Sequence, residues 1–410
     1  MTSGFLRSVG SVLSGTLVAQ LIPIAGTLVV ARIFDPAAFG VFSAWLGGVL
    51  FLAVVLSCRF ETSLAVVPDG QPRRSGVALT LVTIALTSLI AAALVWLAAL
   101  VKLEALNRLP VALLVSAVPT AALIAVSQTL QNWAAADGRY RHLTFMRIAQ
   151  AGSIVLLQIG IGMLWPDVTG LGVAYLAGTL FGLIVGIVVM PLQVTRSPGL
   201  RRQLFAFWRG YRNFPLYSLP ADAVNAAAAQ LPLLVVAARF GSEAAGLLAM
   251  AMRMLGAPMS LLAASVLDVF KRHAGKAYRE RGECRAEYVH AFKILLVVAV
   301  AAAVAIAFGA EPVFAAVFGE MWLGAGTMAL WLLPRFAIGF VASPLSYMVY
   351  VAGKQHLDLI WQLTLLGMTL ATLLLIDSAQ WALISYGIGY GGLYLVYILM
   401  SYQFSLGGRR

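Results

Sequence analysis

The stretch FPLYSLPADAVNAAAAQLPLLVVAARFGSEAAGLLAMAMR, Phe214–Arg253, decides the fold. It holds two apolar runs separated by the polar corner Arg239–Glu243. With its flanks, each run is long enough to cross roughly 30 Å of hydrocarbon as a helix. Yet the stretch also carries Asp222, Asn225, Gln230, three prolines and Arg253. Outward from it, apolar runs of about 20 residues alternate with short polar corners along the whole chain.

Composition agrees. The 410 residues are 61% hydrophobic and 11% charged, too little charge to cover a soluble domain of this size. The alternating strands of a transmembrane barrel are not seen in the sequence. The expected fold class is an all-α polytopic membrane protein with twelve spans. These fall near 9–33, 39–67, 75–100, 109–134, 142–165, 169–193, 214–238, 244–269, 289–310, 322–352, 356–376 and 379–403. The second and tenth are longer than a bilayer needs, so they must tilt, bend or protrude.

The net charge of +12 follows the membrane rather than a nucleic acid. Arg7, Arg73, Arg74, the arginines at 139–147 and 196–212, the cations at 271–293, Lys354, Arg409 and Arg410 all fall on one side. Only Arg32, Lys102, Arg108 and Arg239 fall on the other. The positive-inside rule then places both termini in the cytoplasm and expects no nucleic-acid partner. Cys58 and Cys284 predict no structural disulfide, and the four histidines have no metal-ligand spacing. Arg7 and the apolar run after it read as a retained first helix rather than a cleaved signal.

The chain also repeats. Leu28–Ala44, LVVARIFDPAAFGVFSA, aligns with Leu234–Met250, LVVAARFGSEAAGLLAM. This sets span 1 on span 7, with six helices between their starts, so both run the same way. Two parallel six-helix lobes around a central cavity are predicted: 1–195 and 214–410, joined by a basic cytoplasmic linker at 196–213. The linker's arginines, with Leu204, Phe205, Phe207 and Trp208, suit a helix lying in the membrane interface. Residues 271–293 are expected to continue span 8 into the cytoplasm as a charged helix.

Charges within spans are costly, about 2.5–3.5 kcal/mol each near the centre. Asp222 and Arg253 each lie about 15 Å from a membrane boundary at 1.5 Å per helical residue. Arg335 lies near the middle, and Arg59 and Glu61 approach the cytoplasmic end of span 2. Ser218, Asp222, Asn225 and Ala229 share one helical face; so do Arg253, Gly256, Ser260 and Ala264, and Arg335, Gly339, Ala342 and Ser346. Small residues beside a charge leave room for water or ligand, or let helices pack closely. Two readings follow. Asp222 pairs with Arg253 or Arg335 to neutralise buried charge, or the arginines line a cationic cavity for an anionic substrate. In the second, Asp222 or Glu61 carries a coupling proton or sodium ion. Helical geometry forbids Arg59 and Glu61 from pairing along one face. Pro23, Pro215, Pro220 and Pro232 bend the first helix of each lobe, as hinges or static kinks. Trp45, Tyr217, Tyr347 and Tyr350 stack on sugars, anchor at the interface or pack.

The segments RIFDPAAFGVFS (Arg32–Ser43), CRFETSLAVVPD (Cys58–Asp69), the stretch Asn213–Leu262 and SPLSYMVYVAGKQHLDLIWQ (Ser343–Gln362) occur in order across both halves. Through them the chain resembles the Wzx-type O-antigen and polysaccharide flippases, relatives of the MATE antiporters and lipid II flippases. The resemblance implies a polyprenyl-diphosphate-linked oligosaccharide as substrate, moved from the cytoplasmic to the periplasmic leaflet of a bacterial inner membrane. It implies no catalytic residue, no metal and no cofactor beyond coupling to protons or sodium. Its partners are membrane lipids and the polysaccharide polymerase and assembly proteins. The family's arginine–glutamate pair after span 2 falls on Arg59 and Glu61, and its span-8 arginine on Arg253. Arg335 joins these as a substrate candidate, and Asn225, Gln230 and Ser260 offer hydrogen bonds to an oligosaccharide. Asp222, Asp268 and Arg335 depart from the family pattern. A cation-coupled drug antiporter and a membrane glycosyltransferase or polymerase are the alternatives; no GxxxxGK[ST] phosphate loop is present.

Overall fold

A computed structural model describes residues 2–101, 109–191 and 200–407. Its side chains are described except those of residues 2–17, 99, 200, 201, 264, 265, 268, 272 and 355. Lys102, Arg108, Arg196, Arg409, Arg410 and the side chains of Asp268 and Ala264 therefore lie outside the described residues.

The described chain is helical. In order the helices are α1 Thr2–Ile33, α2 Pro36–Leu56, α3 Phe60–Ser63, α4 Gln71–Leu100, α5 Val111–Ala136, α6 Tyr140–Leu164, α7 Val168–Val189 and α8 Leu200–Tyr211. A π-helical turn, Phe214–Ser218, opens α9, which runs on as Leu219–Phe240. Then come α10 Ser242–Arg281, α11 Arg285–Phe318, α12 Leu323–Trp331, α13 Leu333–Leu345, α14 Met348–Val351, α15 Gln355–Leu375 and α16 Ala379–Ser405. Among the described residues ten helices are long and apolar enough to span a membrane. A further pair, Glu320–Trp331 with Leu333–Val351, is bent by 54°, and Val18–Ile33 is a shorter apolar helix.

The two overlong spans resolve differently. The tenth bends where Pro334 opens α13 and removes a backbone donor. The second is not one helix: α2 stops at Leu56 and the chain turns before α3. The charged continuation of span 8 forms only as far as Arg281; the helix stops at Gly282, with φ of 77°, and Arg285–Lys293 open α11 instead.

By contact the chain divides into two units, Met1–Leu234 and Val235–Arg410. The division falls inside α9 rather than in the segment 196–213, because the first half of α9 is tied to the α2–α3 turn, as described below. In the first unit, α6 packs against α1 and α7, and α5 against α2, α4 and α7. Glycines set the α6–α7 distance. A Cβ on Gly178 would lie 2.5 Å from the Ile154 Cα, and one on Gly182 would lie 2.7 Å from the Gln150 Cα. Close backbone approach of this kind is how helices associate in lipid, where hydrophobicity gives no preference for protein over tails.

Arg73 clips two loops of this unit together, the one after α3 and the one after α5. Its guanidinium donates to the carbonyls of Leu64, Val67 and Ala136 and pairs with Asp69 and Asp137, while the residue is 5% exposed. In the second unit, Phe270, Tyr288, Leu295, Phe340 and Met348 form a core between α10, α11, α13 and α14. The turn between α10 and α11 is fastened to the end of α16. The Cys284 N–H donates to the Ser405 carbonyl at 2.9 Å, and the Tyr288 hydroxyl donates to the Ile398 carbonyl at 2.9 Å.

The repeated stretches fold alike. Leu28–Ala44 ends α1 and starts α2 around an Asp35 N-cap, and Leu234–Met250 ends α9 and starts α10 around Gly241.

Candidate functional site

The sequence between α2 and α3 builds the most unusual local structure in the first unit. Cys58 and Arg59 have φ of 48° and 59°, the left-handed region that L-residues without glycine's freedom seldom occupy. Two such residues in succession cost about 1–2 kcal/mol each. The turn is held by bonds at every exit. The Thr87 hydroxyl on α4 donates to the Leu56 carbonyl at 2.7 Å. The Phe60 N–H donates to the Ser57 carbonyl at 3.1 Å, and the Thr62 hydroxyl to the Arg59 carbonyl at 2.7 Å.

That backbone decides where the charges go. Arg59 Nε donates to Asp222 Oδ2 at 2.6 Å, and Arg59 Nη1 donates to Glu61 Oε1 at 3.1 Å. One expectation is corrected here: Arg59 and Glu61 do pair, because the turn between α2 and α3 replaces the continuous helix that would have kept them apart. Asp222 gains Arg59 as a partner that the spacing of the sequence did not suggest, because the first turns of α9 lie against α3. Glu61 is 1% exposed and its second oxygen has no hydrogen-bond partner, whereas the Asp222 side chain is 37% exposed. One guanidinium thus serves two carboxylates, and the cluster carries a formal net charge of −1. Only two of the five guanidinium N–H groups are used in these bonds.

Asp222 lies in the first turn of the regular helix that follows the π-helical turn, with Pro215 at the start of the π turn and Pro220 at the start of the regular helix. Asn225 is exposed on α9, and Gln230 is half-buried, its amide oxygen 3.0 Å from where a Cβ on Gly47 would stand. Trp45 is core rather than site: it is 4% exposed, packs on Phe42 and Tyr175, and donates from Nε1 to the Leu113 carbonyl at 2.8 Å.

Arg253, Ser260 and Arg335 lie in the second unit. Arg253 is half-buried on α10 and engages neighbouring groups. Ser260 is exposed, and its hydroxyl bonds back to the Ala257 carbonyl of its own helix. Arg335 lies among rings, its guanidinium carbon 5.1 Å from the centroids of Phe336 and Tyr386 and 4.7 Å from that of Tyr390. Its Nη1 is buried without a hydrogen-bond partner. The room expected beside it at Gly339 is taken by Tyr394, whose ring would lie 2.7 Å from a Cβ there. Tyr347 packs beneath Lys271 at 5.3 Å, and Tyr217 and Tyr350 are exposed.

A search of the curated proteins finds no match to the chain. Among solved structures, the lipid II flippase MurJ in an inward closed conformation is similar with a TM-score of 0.70 and 12% identity over 95% of this chain and 86% of that one. An inward-facing multidrug resistance MATE family transporter of the MOP superfamily is similar with a TM-score of 0.60 and 17% identity, covering 94% of this chain and 93% of that one. A MOP superfamily transporter from Pyrococcus furiosus, described as having a binding pocket of reverse polarity, has a TM-score of 0.53 and 19% identity over 96% and 93%. The fold is therefore that of the MATE and MurJ proteins. The polysaccharide biosynthesis protein family matches residues 29–326, most of the chain and all of the Arg59 cluster. This multi-pass membrane protein belongs to the polysaccharide biosynthesis protein family.

Proposed function

We propose that the protein is a flippase for a polyprenyl-diphosphate-linked oligosaccharide, working by alternating access in a bacterial inner membrane with both termini cytoplasmic. It is a transporter and not an enzyme on this reading, and it draws on a proton or sodium gradient. The observation that carries the proposal is the shared guanidinium of Arg59, in a chain of a polysaccharide-making family. A planar fork of donors is the group best matched to phosphate oxygens.

Asp222 occupies in the resting protein the place a phosphate oxygen would take. A diphosphate reaching Arg59 displaces the Asp222 carboxylate, which is the more exposed of the two, and frees the start of α9. Glu61 stays beneath and keeps Arg59 oriented. Displacement leaves Asp222 free to accept a proton or bind sodium, which ties ion uptake to substrate arrival. Within the second unit, Arg253 is the candidate for an anionic group, Arg335 being packed among rings. Asn225, Gln230 and Ser260 are the candidates for sugar hydroxyls.

The test is export of the lipid-linked glycan in cells carrying Arg59→Ala or Arg253→Ala. Export should be lost while membrane abundance is kept; normal export in either variant removes that arginine from the mechanism. A drug antiporter, the alternative that the MATE-like fold keeps open, would instead expel cationic drugs and leave lipid-linked glycan in the inner leaflet.

A further inference from the structure

Helix α8 has two faces that do different things. Gln203, Phe207 and Tyr211 follow i, i+4, i+8 spacing and form one stripe. That stripe is docked. Gln203 Oε1 accepts from Gln71 Nε2 at 3.1 Å and from the Ser75 hydroxyl at 3.3 Å. Phe207 is 5% exposed, with its ring 6.4 Å from that of Phe60 and stacked on Tyr211 at 4.5 Å. Gly76 is the notch that admits it, since a Cβ there would lie 2.6 Å from the Phe207 ring. Phe60 follows Arg59 in the chain, and Cys58 packs on the same cluster. The inner face of α8 therefore bears on the left-handed turn.

The outer face is Arg202, Phe205, Trp208, Arg209 and Arg212, all exposed. Phe205 and Trp208 stack at 6.0 Å in the open, between the arginines. Span α9 begins at Phe214, so this face sits where the chain enters the bilayer. Aromatic rings with apolar bodies and guanidinium groups on long stems are matched to the headgroup layer, rings at acyl level and cations at phosphate level. The cations make the match specific for acidic lipid.

We infer that the outer face of α8 docks on anionic phospholipid, and that seating it there holds the Cys58–Arg59 turn left-handed through Phe207 and Phe60. The inference goes beyond the transport reading and is independent of the substrate. Its readout needs no transport.

The test uses full-length protein in vesicles of phosphatidylcholine alone or mixed with phosphatidylglycerol. The rate of Cys58 alkylation by a maleimide, followed by peptide mass spectrometry, reports the turn. Cys284 is separable because it is fully buried, and burial with the nearby Glu287 carboxylate pushes its thiol up to about 11. Alkylation of Cys58 should be slower in the acidic vesicles. The preference should fall roughly fivefold for each of Arg202→Gln and Arg209→Gln. Phe207→Leu, which keeps an apolar side chain in the notch, should leave Cys58 fast in both vesicles. Equal rates for the unmodified protein, or a preference untouched by the arginine changes, would overturn the inference. So would a fluorophore at Phe205→Cys, in a Cys58→Ser background, that stays open to aqueous iodide in acidic vesicles. That result would point to a soluble protein as the occupant of this face.

Discussion

At the scale of the residue, the Cys58–Arg59 turn shows strain used to aim a charge. Two side-chain-bearing residues sit where glycine would be at ease, and hydrogen bonds from Thr87 and Thr62 hold them there. A β-branched side chain fits this region worst. Cys58→Val should therefore lower stability by about 1–2 kcal/mol, read as a fall in thermal midpoint in detergent, while Cys58→Gly should not. Arg59→Lys keeps the charge but gives up the fork that bridges Asp222 and Glu61. Losing one charge-assisted bond of about 1.5 kcal/mol predicts roughly a tenfold drop in glycan export, measured at equal membrane abundance. Arg59, Glu61 and Asp222 were legible in the sequence as costly intramembrane charges. Their pairing was not, because it depends on a left-handed turn that no glycine announces.

At the scale of the element, hydropathy located the spans well, since a helix in lipid must satisfy its own backbone and its apolar run is continuous. It mislocated the end of span 2, because the apolar run Leu64–Val67 resumes after the turn and no glycine or proline marks the turn at Cys58–Arg59. Arg73 shows the limit of counting charges: it reads as one more cytoplasmic cation, yet it is buried and joins three loop carbonyls to two aspartates. Arg73→Met would strand those groups, so unfolding should become easier by about 3–5 kcal/mol, seen as lost abundance and a lower midpoint. The glycines of α7 were readable only as small residues. Gly182→Leu should push α6 from α7, costing about 1–3 kcal/mol as overpacking does. Gly182→Ala should be milder than leucine in the same thermal assay but still destabilising, since its Cβ alone would lie 2.7 Å from the Gln150 Cα.

At the scale of the whole molecule, the fold came through because the signal is spread over many spans and one misplaced end does not alter it. The repeat around Asp35 and Gly241 was visible as shared residues and folds in both places as helix, corner and helix, with Asp35 at φ −74° capping α2 and Gly241 at φ 93°. Sidedness rests on the uneven distribution of Lys and Arg. It predicts that a lone cysteine at Arg279, with Cys58 and Cys284 replaced by serine, reacts with an impermeant maleimide only after cells are permeabilised. One at Glu320 should react in intact cells. The opposite pattern would invert the topology and, with it, the direction of transport.

The fastening of Cys284 to Ser405 also bears on truncated gene products. A premature stop after Phe404 removes Ser405 and, with it, the carbonyl that the Cys284 amide meets. The loss is small in sequence, but it unzips a closing contact made by the final helix. Such a shortened chain would be drawn to membrane proteases even though every span had been synthesised.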